Sequence, residues 1–426
     1  MRTVTVVGAS LSGLYAAREL RAQGFDGRLV VVGEESHGPY DRPPLSKDFL
    51  LGGTPEERLT LTDPGETADL DAEWLLGVRA HGLDARGRAV LPDGGRTVPT
   101  DGVVIATGAT ARRLPGPRLT GVHTLRTLDD ARALRAELAL GTRRVVVIGG
   151  GFIGAETASS CAALGHDVTV VEAAALPLVP QLGPAMAAVC AALHRRGGVR
   201  LLTGTGVTEL HGTADRNCNG TGNGTDNETG NGTRDNTYAA GRGVTGVELS
   251  DGRILPADTV IVGIGAVPAT GWLAGSPLAL HDGVLCDYGC VTALPQVVAV
   301  GDVARVGGDR TEHWTSATEQ PRVAVRNLLA GRTRDSFRSV PCFWSDQYGS
   351  RVQFAGRYRE GDAVRVVEGA VEDGAPGADG LLARYERDGR TTAVLSIDRP
   401  RPFTRARRTL TSDADDASPV RSAAAR

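Results

Sequence analysis

The chain has 426 residues, a net charge of -3 and an aromatic content of 4%. This length exceeds one ordinary core and predicts about two to four domains, and the lack of a basic excess argues against a general nucleic-acid binder. No segment approaches the ~18 apolar residues of a membrane span, and the opening "MRTVTVVGAS" has no secretory pattern. We therefore expect a cytoplasmic protein that binds neither nucleic acid nor a membrane.

The stretch "TVTVVGASLSGLYAARELRAQGFDGRLVVVGEE" predicts a βαβ unit with a glycine turn. Strand, turn, amphipathic helix and second strand follow one another over the length of a dinucleotide-binding fingerprint. Gly8 and Gly13 fit that fingerprint, whereas Ser10 replaces its second glycine and limits how closely the backbone can approach a phosphate. Glu34 and Glu35 end the unit and could bind a ribose, with Glu34 nearer in register.

The next segment, "PYDRPPLSKDFL", contains Lys47, which is the only lysine of the chain. Arginine has taken the place of lysine everywhere else, yet one ammonium group is kept between a Pro-Pro pair and an acidic residue. The prolines stiffen the backbone that presents it. This pattern favours a site that needs the charge of Lys47, and the alternative is a solvated surface lysine.

A second βαβ unit begins more than a hundred residues later, in "RRVVVIGGGFIGAETASSCAALGHDVTVVEA". Gly149, Gly151 and Gly154 complete a G-x-G-x-x-G pattern between a strand and a helix, where glycines let the backbone approach a pyrophosphate. Glu172 ends the following strand, where a carboxylate accepts hydrogen bonds from a ribose 2'-hydroxyl and repels a 2'-phosphate. Two such units predict two nucleotide sites, and Glu172 favours NADH over NADPH.

Continuous apolar runs predict further buried parallel strands in "DGVVIATGA", "PADTVIVGIGAVP" and "PQVVAVGDVA". From about Pro341, shorter alternating strands in "FWSDQYGSRVQFAGRY" and "LLARYERDGRTTAVLSID" predict a separate antiparallel domain. Between two successive strands, residues 212–243 form an Asn/Gly/Thr-rich tract that reads as a floppy hairpin extension. We expect its N-x-T sequons to stay unmodified; they are at Asn219, Asn223, Asn227 and Asn231.

Taken together, the ordered motifs resemble the FAD-dependent, NADH-using ferredoxin reductases of bacterial oxygenase systems, the group of putidaredoxin reductase and the biphenyl and toluene dioxygenase reductases. The resemblance covers about residues 3–410 and rests on "VGASLSGL", "PYDRPPLSK", "VIATGA", "LRTLDDA", "VIGGGFIGAE", "GIGAVP", "VAVGDVA", "EHWTSATEQ" and "FWSDQYG". It implies FAD as cofactor, NADH as co-substrate, and hydride transfer from NADH to the flavin. Electrons would then leave singly to a [2Fe-2S] ferredoxin that serves a P450 or ring-hydroxylating oxygenase.

The family resemblance also implies an α/β fold of two Rossmann-like dinucleotide-binding domains, for FAD and NAD, with a smaller α+β C-terminal domain. The implied domains are the FAD-binding domain at 1–111 and 269–326, the NAD-binding domain at 112–268 with the insert at 212–243, and the C-terminal domain at 327–410. Residues 411–426 are polar and small, so we expect a disordered tail there.

Roles for individual residues follow from the same resemblance. Lys47 would lie near the reactive edge of the flavin, where a cation favours the reduced flavin and can pair with a nearby carboxylate. Glu156 would lie near the nicotinamide, so these two are the expected catalytic residues. The other expected cofactor-binding residues are Gly8, Ser10, Ser12, Gly13, Glu34, Arg42, Val78, Ala106, Thr107, Gly108, Arg126, Gly149, Gly151, Gly154, Glu172, Gly265, Asp302 and Trp314.

Some of these residues have more specific expected contacts. Ser12 and Glu34 would contact the adenosine half of FAD, and Val78 would pack on the adenine side. Asp302 would hydrogen-bond the ribityl chain, and Trp314 would lie against the pyrimidine side of the flavin. Taken alone, Asp302 reads equally well as a helix N-cap and Trp314 as a core aromatic.

The expected partner is an acidic ferredoxin, which requires a basic docking face. The arginines expected to form that face are Arg322, Arg326, Arg332, Arg334, Arg338, Arg351, Arg357 and Arg359. The alternative is a solvated, arginine-rich surface. No cysteine precedes Cys161, so dithiol chemistry beside the flavin is not expected. Two other functions stay open: an NADH oxidase or quinone reductase on the same fold, and a flavin-bound, non-catalytic sensor.

Overall fold

The structure is a computed structural model that describes residues 1–84, 88–213 and 243–415. Most of the Asn/Gly/Thr-rich tract, with its four sequons, lies outside the described residues, and so does the predicted tail from residue 416 onward. Within the described ranges, no helix is long and apolar enough to cross a membrane.

The strands follow the apolar runs of the sequence. In chain order they begin with β1 Thr3–Val7, β2 Arg28–Gly33, β3 Ala72–Leu76, β4 Ala80–Asp84, β5 Ala89–Pro92, β6 Val98–Pro99, β7 Gly102–Ile105, β8 Ala109–Ala111 and β9 Val122–His123. They continue with β10 Arg144–Ile148, β11 Asp167–Glu172, β12 Arg200–Thr203, β13 Val207–Gly212, β14 Val244–Leu249, β15 Ile254–Pro256, β16 Thr259–Val262, β17 Ala266–Pro268 and β18 Val284–Cys286. The last are β19 Val297–Ala299, β20 Ala304–Val306, β21 Asp309–Arg310, β22 Cys342–Gln347, β23 Ser350–Gly356, β24 Ala363–Glu372, β25 Ala375–Arg387 and β26 Arg390–Ile397.

The α-helices pack on these strands. They are α1 Leu11–Ala22, α2 Glu66–Asp69, α3 Leu128–Leu138, α4 Phe152–Ala163, α5 Val179–Arg196, α6 Trp314–Ala330 and α7 Pro400–Asp415. Helix α5 is interrupted at Gly183, whose φ of 70° is not helical.

The first sheet has the order β19-β7-β1-β2-β3, and all its strands are parallel. The predicted first βαβ unit, β1-α1-β2, forms its centre. Val4, Val6 and Val104 are fully buried, because a parallel sheet covered on both faces favours continuous apolar strands. Strand β19 joins this sheet from almost two hundred residues further along the chain, at Val297–Ala299.

The second sheet repeats this architecture with the order β12-β11-β10-β16-β9, again all parallel. Its centre is the second predicted unit, β10-α4-β11. Strands β8 and β17 pair antiparallel and connect the two sheet regions, with Ala111 opposite Ala266. The predicted α/β fold with two dinucleotide-binding units is confirmed.

Strands β13, β14 and β15 form a small antiparallel sheet beside the second parallel sheet. Leu210 of β13 lies opposite Val247 of β14. The two strands that flank the Asn/Gly/Thr-rich tract are therefore hairpin neighbours, as the sequence predicts.

The C-terminal domain is an antiparallel sheet of order β22-β23-β26-β25-β24, covered by α7. Phe403, Ala406 and Leu410 of α7 are buried against it. Because a helix extends readily once its first turns are anchored, α7 continues to Asp415. The structure places residues 411–415 in this helix, while the domain bounds and the tail stay predictions.

Candidate active site

A cleft of about 1020 Å³ is lined by residues of both nucleotide-binding units and of the C-terminal sheet. The predicted site residues that line it are Ser10, Ser12, Arg42, Lys47, Ala106, Thr107, Gly108, Arg126, Gly151, Glu156, Gly265, Asp302 and Trp314. The fold thus gathers residues that are scattered along the chain. The predicted residues that do not line it are Gly8, Gly13, Glu34, Val78, Gly149, Gly154 and Glu172.

The first glycine turn is closed by backbone contacts. Gly8 has a φ of +115°, and a Cβ atom built on it would lie 2.1 Å from the Ala106 carbonyl oxygen. A Cβ atom on Gly13 would lie 1.8 Å from the carbonyl oxygen of Gly8. Ser10 is the N-cap residue of α1, and its hydroxyl oxygen accepts a hydrogen bond from Arg42 Nε at 3.3 Å. The serine therefore links the turn to the segment that carries Lys47.

The second glycine turn is also closed by contacts with carbonyl oxygens, but its middle glycine faces open space. A Cβ atom on Gly149 would lie 2.4 Å from the Gly263 carbonyl oxygen, and one on Gly154 would lie 2.0 Å from that of Gly149. Gly151 is the N-cap residue of α4 and has open space around a built Cβ atom. Bare backbone at the start of a helix is what a pyrophosphate needs.

The Glu172 carboxylate contacts the backbone of the second turn. Its Oε2 accepts a hydrogen bond from the Gly150 backbone N–H at 2.8 Å, and its Oε1 accepts one from the Ala174 N–H at 2.8 Å. The carboxylate is therefore fixed beside the turn, at the end of β11 where the fingerprint places a ribose-binding acid.

The acidic residues after β2 differ from Glu172. The side chain of Glu34 is 65% exposed, and its carboxylate lies 3.6 Å from Arg79. Glu35 accepts hydrogen bonds from Arg42 Nη2 and from the Tyr40 hydroxyl, each at 2.5 Å. Val78 packs against the hydrophobic core around the first parallel sheet, and its N–H donates to the Gly33 carbonyl oxygen. The ribose contact of Glu34 stays a prediction.

Lys47 and Glu156 meet in the cleft. The Lys47 Nζ atom lies 3.0 Å from Glu156 Oε1, and the two side chains are 14% and 4% exposed. Lys47 follows the 3₁₀ turn Pro43–Ser46, while Glu156 lies on α4. The reading of Lys47 as a solvated surface residue is therefore wrong, and its carboxylate partner is the second predicted catalytic residue.

Two serines at this pair were missed by the sequence reasoning. The Ser46 hydroxyl donates to Glu156 Oε2 at 2.5 Å, and the Ser345 hydroxyl donates to Oε1 at 2.7 Å. Both serines lie within motifs quoted for the family, in "RPPLSK" and "FWSDQYG". Nothing in either motif identifies the partner, because Ser345 is 189 residues from Glu156.

Asp302 and Trp314 form the opposite part of the lining. Asp302 Oδ2 accepts a hydrogen bond from Arg126 Nη2 at 2.6 Å. Burial opposes the charge of Arg126, but the carboxylate of Asp302 more than compensates and raises the pKa of the guanidinium above its usual value. Trp314 begins α6 and donates from Nε1 to Asp41 Oδ1 at 3.0 Å. Burial raises the pKa of Asp41, whereas the Trp314 hydrogen bond and the Lys47 charge oppose that rise.

Comparison with known proteins agrees with this geometry. The family model described as "Pyridine nucleotide-disulphide oxidoreductase" matches residues 2–321, and that described as "Reductase C-terminal" matches residues 342–425. The chain belongs to the pyridine nucleotide-disulphide oxidoreductase family. Within it, the chain is a ferredoxin–NAD(+) reductase of the kind that serves dioxygenase or P450 systems.

Three relatives illustrate the similarity. The reductase is 36% identical to the ferredoxin reductase component of chlorobenzene dioxygenase from Cupriavidus sp. (strain PS12), over 95% of this chain and 91% of that one. It is 35% identical to the ferredoxin–NAD(+) reductase component of the biphenyl dioxygenase system of Paraburkholderia xenovorans (strain LB400), over 95% and 92%. The solved structure of the covalent putidaredoxin reductase–putidaredoxin complex matches with a TM-score of 0.84 and 30% identity, over 96% and 93% of the two chains.

The family name refers to disulphides, so the positions of the cysteines matter. No cysteine among the described residues lines it. Burial raises the pKa of Cys161 and of Cys286 to about 12, which disfavours a reactive thiolate at either position.

All eight predicted docking arginines are exposed, but six of them do not line the cleft: Arg322, Arg326, Arg332, Arg334, Arg338 and Arg351. Arg326 pairs with Asp335 at 2.6 Å, and Arg351 pairs with Asp346 at 2.6 Å. The other two predicted arginines, Arg357 and Arg359, do line the cleft.

Proposed function

We propose that this reductase binds FAD in its first unit and NADH, in preference to NADPH, in its second, and passes electrons to an acidic [2Fe-2S] ferredoxin of a P450 or ring-hydroxylating oxygenase. The observation that carries the proposal is the buried Lys47–Glu156 pair, which shares one cleft with Ser10 and Gly151 from the two glycine turns.

The residues of the first unit fit FAD. Gly8 and Gly13 leave no room for side chains, so the strand, turn and helix pack as a dinucleotide-binding unit requires. Arg42 adds a positive charge beside the N-terminus of α1, where a pyrophosphate would be attracted. The cleft volume of 1020 Å³ lies at the upper end of the ~300–1,000 Å³ of ordinary ligand pockets, as expected for two large cofactors.

The second unit fits NADH. The open backbone at Gly151 would receive the pyrophosphate. Glu172 would accept a hydrogen bond from the adenosine ribose and would repel the 2'-phosphate of NADPH. Its fixed position beside Gly150 supports this role, since a carboxylate held by two backbone N–H groups does not need to be ordered when the ribose binds.

FAD supplies the chemistry when bound, because it accepts a hydride from NADH and releases electrons singly. Lys47 keeps a positive charge inside the cleft, and Glu156 holds that charge in place. Trp314 and Phe343 contribute aromatic surface to the lining and help to exclude water. The protein therefore orients the reactants and sets the local electric field, and it needs no nucleophile of its own.

The test is an anaerobic stopped-flow titration of the purified yellow protein with NADH and, separately, with NADPH, in which the flavin absorbance is followed. We expect rapid bleaching by NADH and a much weaker response to NADPH. A full complement of FAD without bleaching would overturn the reductase function and leave a flavin-bound sensor. Rapid oxygen consumption without ferredoxin, and no ferredoxin reduction, would favour an NADH oxidase.

Ferredoxin docking is proposed on the side of the cleft where Arg357 and Arg359 lie, because an electron acceptor must approach the flavin closely. An acidic partner would meet positive charge there. The other six predicted arginines would lie around this contact or outside it. Charge reversal decides the matter: we expect Arg357→Glu with Arg359→Glu to raise the KM for ferredoxin and leave NADH-driven flavin bleaching unchanged.

The matched control is charge reversal at Arg332 and Arg334, two exposed arginines that do not line the cleft. We expect a smaller rise in the ferredoxin KM from this pair. An equal or larger rise would move the docking surface to the predicted arginines outside the cleft.

A further inference from the structure

Helix α4 contacts the C-terminal domain along one face. Phe152, Glu156 and Ser159 follow the i, i+4, i+7 spacing that places side chains on one side of a helix. Each contacts β22 or the turn after it. The contacts are Phe152 to Phe343 with ring centroids 4.5 Å apart, Glu156 Oε1 to the Ser345 hydroxyl at 2.7 Å, and the Ser159 hydroxyl to the Tyr348 N–H at 2.7 Å.

A second face of α4 contacts the segment that carries Lys47. The Ser46 hydroxyl donates to Glu156 Oε2 at 2.5 Å, and the Ser160 hydroxyl donates to the Ser46 carbonyl oxygen at 2.6 Å. Glu156 and Ser160 are one helical turn apart. Glu156 is therefore the residue at which the two contact faces of α4 overlap.

The overlap gives the two carboxylate oxygens different surroundings. Oε2 accepts from Ser46, whereas Oε1 is shared between the Ser345 hydroxyl at 2.7 Å and the Lys47 ammonium group at 3.0 Å. Glu156 is 3% exposed and Ser345 is fully buried. In such surroundings the orientation of a carboxylate depends on its few donors, because water does not replace a missing one.

We propose that Ser345 is a positioning residue for electron transfer: the C-terminal domain supplies a hydroxyl that holds the Glu156 carboxylate and thereby limits how strongly Glu156 neutralises Lys47. The inference deepens the proposed function and rests on it, since it concerns the charge of Lys47 near FAD. Without the Ser345 hydroxyl, Glu156 Oε1 has only the Lys47 ammonium group as a donor among the described residues and pairs with it more closely. The positive charge available to a reduced flavin then decreases.

Two substitutions separate this role from simple packing. Ser345→Ala removes the hydroxyl and leaves a small void, whereas Ser345→Cys fills the site with a somewhat larger thiol that is only a weak donor. If the hydrogen bond matters, the two variants behave alike. If only packing matters, the cysteine variant behaves like the wild type. Ser345→Thr restores a hydroxyl and should recover part of the wild-type behaviour.

The main readout is the reduction potential of the bound flavin, measured by dye equilibration with a chemical reductant, so that it does not depend on NADH. We expect a lower potential in Ser345→Ala and Ser345→Cys. In single turnover at saturating NADH, flavin reduction should slow by about tenfold, the size expected for losing a hydrogen bond to a charged group. The Kd for NADH should change little.

The control is Ser396→Ala, in the same sheet. Ser396 is also fully buried, but its hydroxyl oxygen accepts a hydrogen bond from the Arg399 backbone N–H and makes no hydrogen bond to Glu156. We expect an unchanged potential there. An unchanged potential in Ser345→Ala, or wild-type behaviour of Ser345→Cys, would overturn the proposal.

A double-mutant cycle tests the same inference without any cofactor. Ser345→Ala and Lys47→Met should be non-additive in the free energy of unfolding, because both act through Glu156 Oε1. Additive effects would contradict the inference even if the protein proved not to be reduced by NADH. A wild-type protein that is not bleached by NADH, combined with a non-additive cycle, would instead reject the proposed function and keep only the coupling of Ser345 and Lys47 through Glu156.

Discussion

The two glycine turns share one backbone plan but differ in what surrounds them. In the first, Ser10 occupies the place that Gly151 has in the second, and its hydroxyl accepts a hydrogen bond from Arg42. The second turn leaves open space at Gly151. The Glu172 carboxylate stabilises this turn by accepting a hydrogen bond from the Gly150 N–H. One turn is therefore tied to side chains of the cleft, whereas the other presents bare backbone.

This difference matches the tasks that we propose for the two units. A resident cofactor can be enclosed by side chains that stay in place, as Ser10 and Arg42 do. A co-substrate that binds and leaves in every cycle needs an open approach, which Gly151 provides. The same fingerprint thus serves a permanent and an exchanging ligand through the surroundings of the turn.

The largest expected effect is that of Gly8→Ala in the first turn. The new methyl group would lie 2.1 Å from the Ala106 carbonyl oxygen at a φ of +115°, so we expect a loss of about 3 kcal/mol or more in the free energy of unfolding, with loss of FAD. Urea unfolding and the FAD content of the purified protein measure it. Gly24→Ala is the control, since Gly24 also has a positive φ but no atom within 4 Å. Equal effects of both changes would show that backbone strain, rather than the contact, matters.

The second turn should respond differently. Gly151→Ala meets open space at an ordinary φ of -68°, but alanine is a poorer N-cap residue than glycine, so the free energy of unfolding should fall by about 1 kcal/mol or less. The methyl group would stand where the pyrophosphate approaches, and we expect the KM for NADH to rise by about tenfold. Steady-state kinetics with NADH as the varied substrate measure this. An unchanged KM would contradict the placement of NADH at this turn.

The next effect concerns the choice between NADH and NADPH. Glu172→Gln keeps the size of the side chain but removes its charge, so the repulsion of a 2'-phosphate is lost. We expect the ratio of kcat/KM for NADH to that for NADPH to fall by about tenfold. Glu209→Gln, an exposed residue of β13 outside the cleft, serves as the control. An unchanged ratio in Glu172→Gln would place coenzyme selection elsewhere.

The smallest expected effect is that of Glu34→Gln. Its side chain is 65% exposed and lies 3.6 Å from Arg79, so the free energy of unfolding should change by less than about 0.5 kcal/mol. If Glu34 binds the ribose of FAD as the sequence predicts, the Kd for FAD should rise severalfold. Fluorescence titration of the apoprotein with FAD measures it. An unchanged Kd would mean that Glu34 does not bind the ribose, although it occupies the place in the first unit that Glu172 has in the second.

Local patterns predicted the parts of the site that local geometry controls. Gly8 and Gly149 were recognisable because a strand–turn–helix junction needs a positive φ and room for a close carbonyl oxygen. Lys47 was recognisable because of its rarity. The end of α7 could not be located in this way, since residues 411–415 have no apolar pattern and extend a helix that is anchored by earlier residues.

Contacts between distant segments could not be predicted in the same way. Glu156 binds Ser46 and Ser345, which lie 110 and 189 residues away. Nothing in the local pattern ranked the eight predicted docking arginines, whereas the fold brings only Arg357 and Arg359 of them to the cleft.

By itself, the sequence determined the α/β architecture, the two glycine turns and the acidic residue after each, because hydrophobic periodicity and glycine requirements act over a few neighbouring residues. Only the tertiary structure decided that Lys47 pairs with Glu156, that Ser345 of a third domain joins them, and that the Glu172 carboxylate is held by the turn beside it. The physical reason is that a buried charge takes its partners from whichever segments the packing brings within hydrogen-bond distance, and no short stretch of chain encodes that distance.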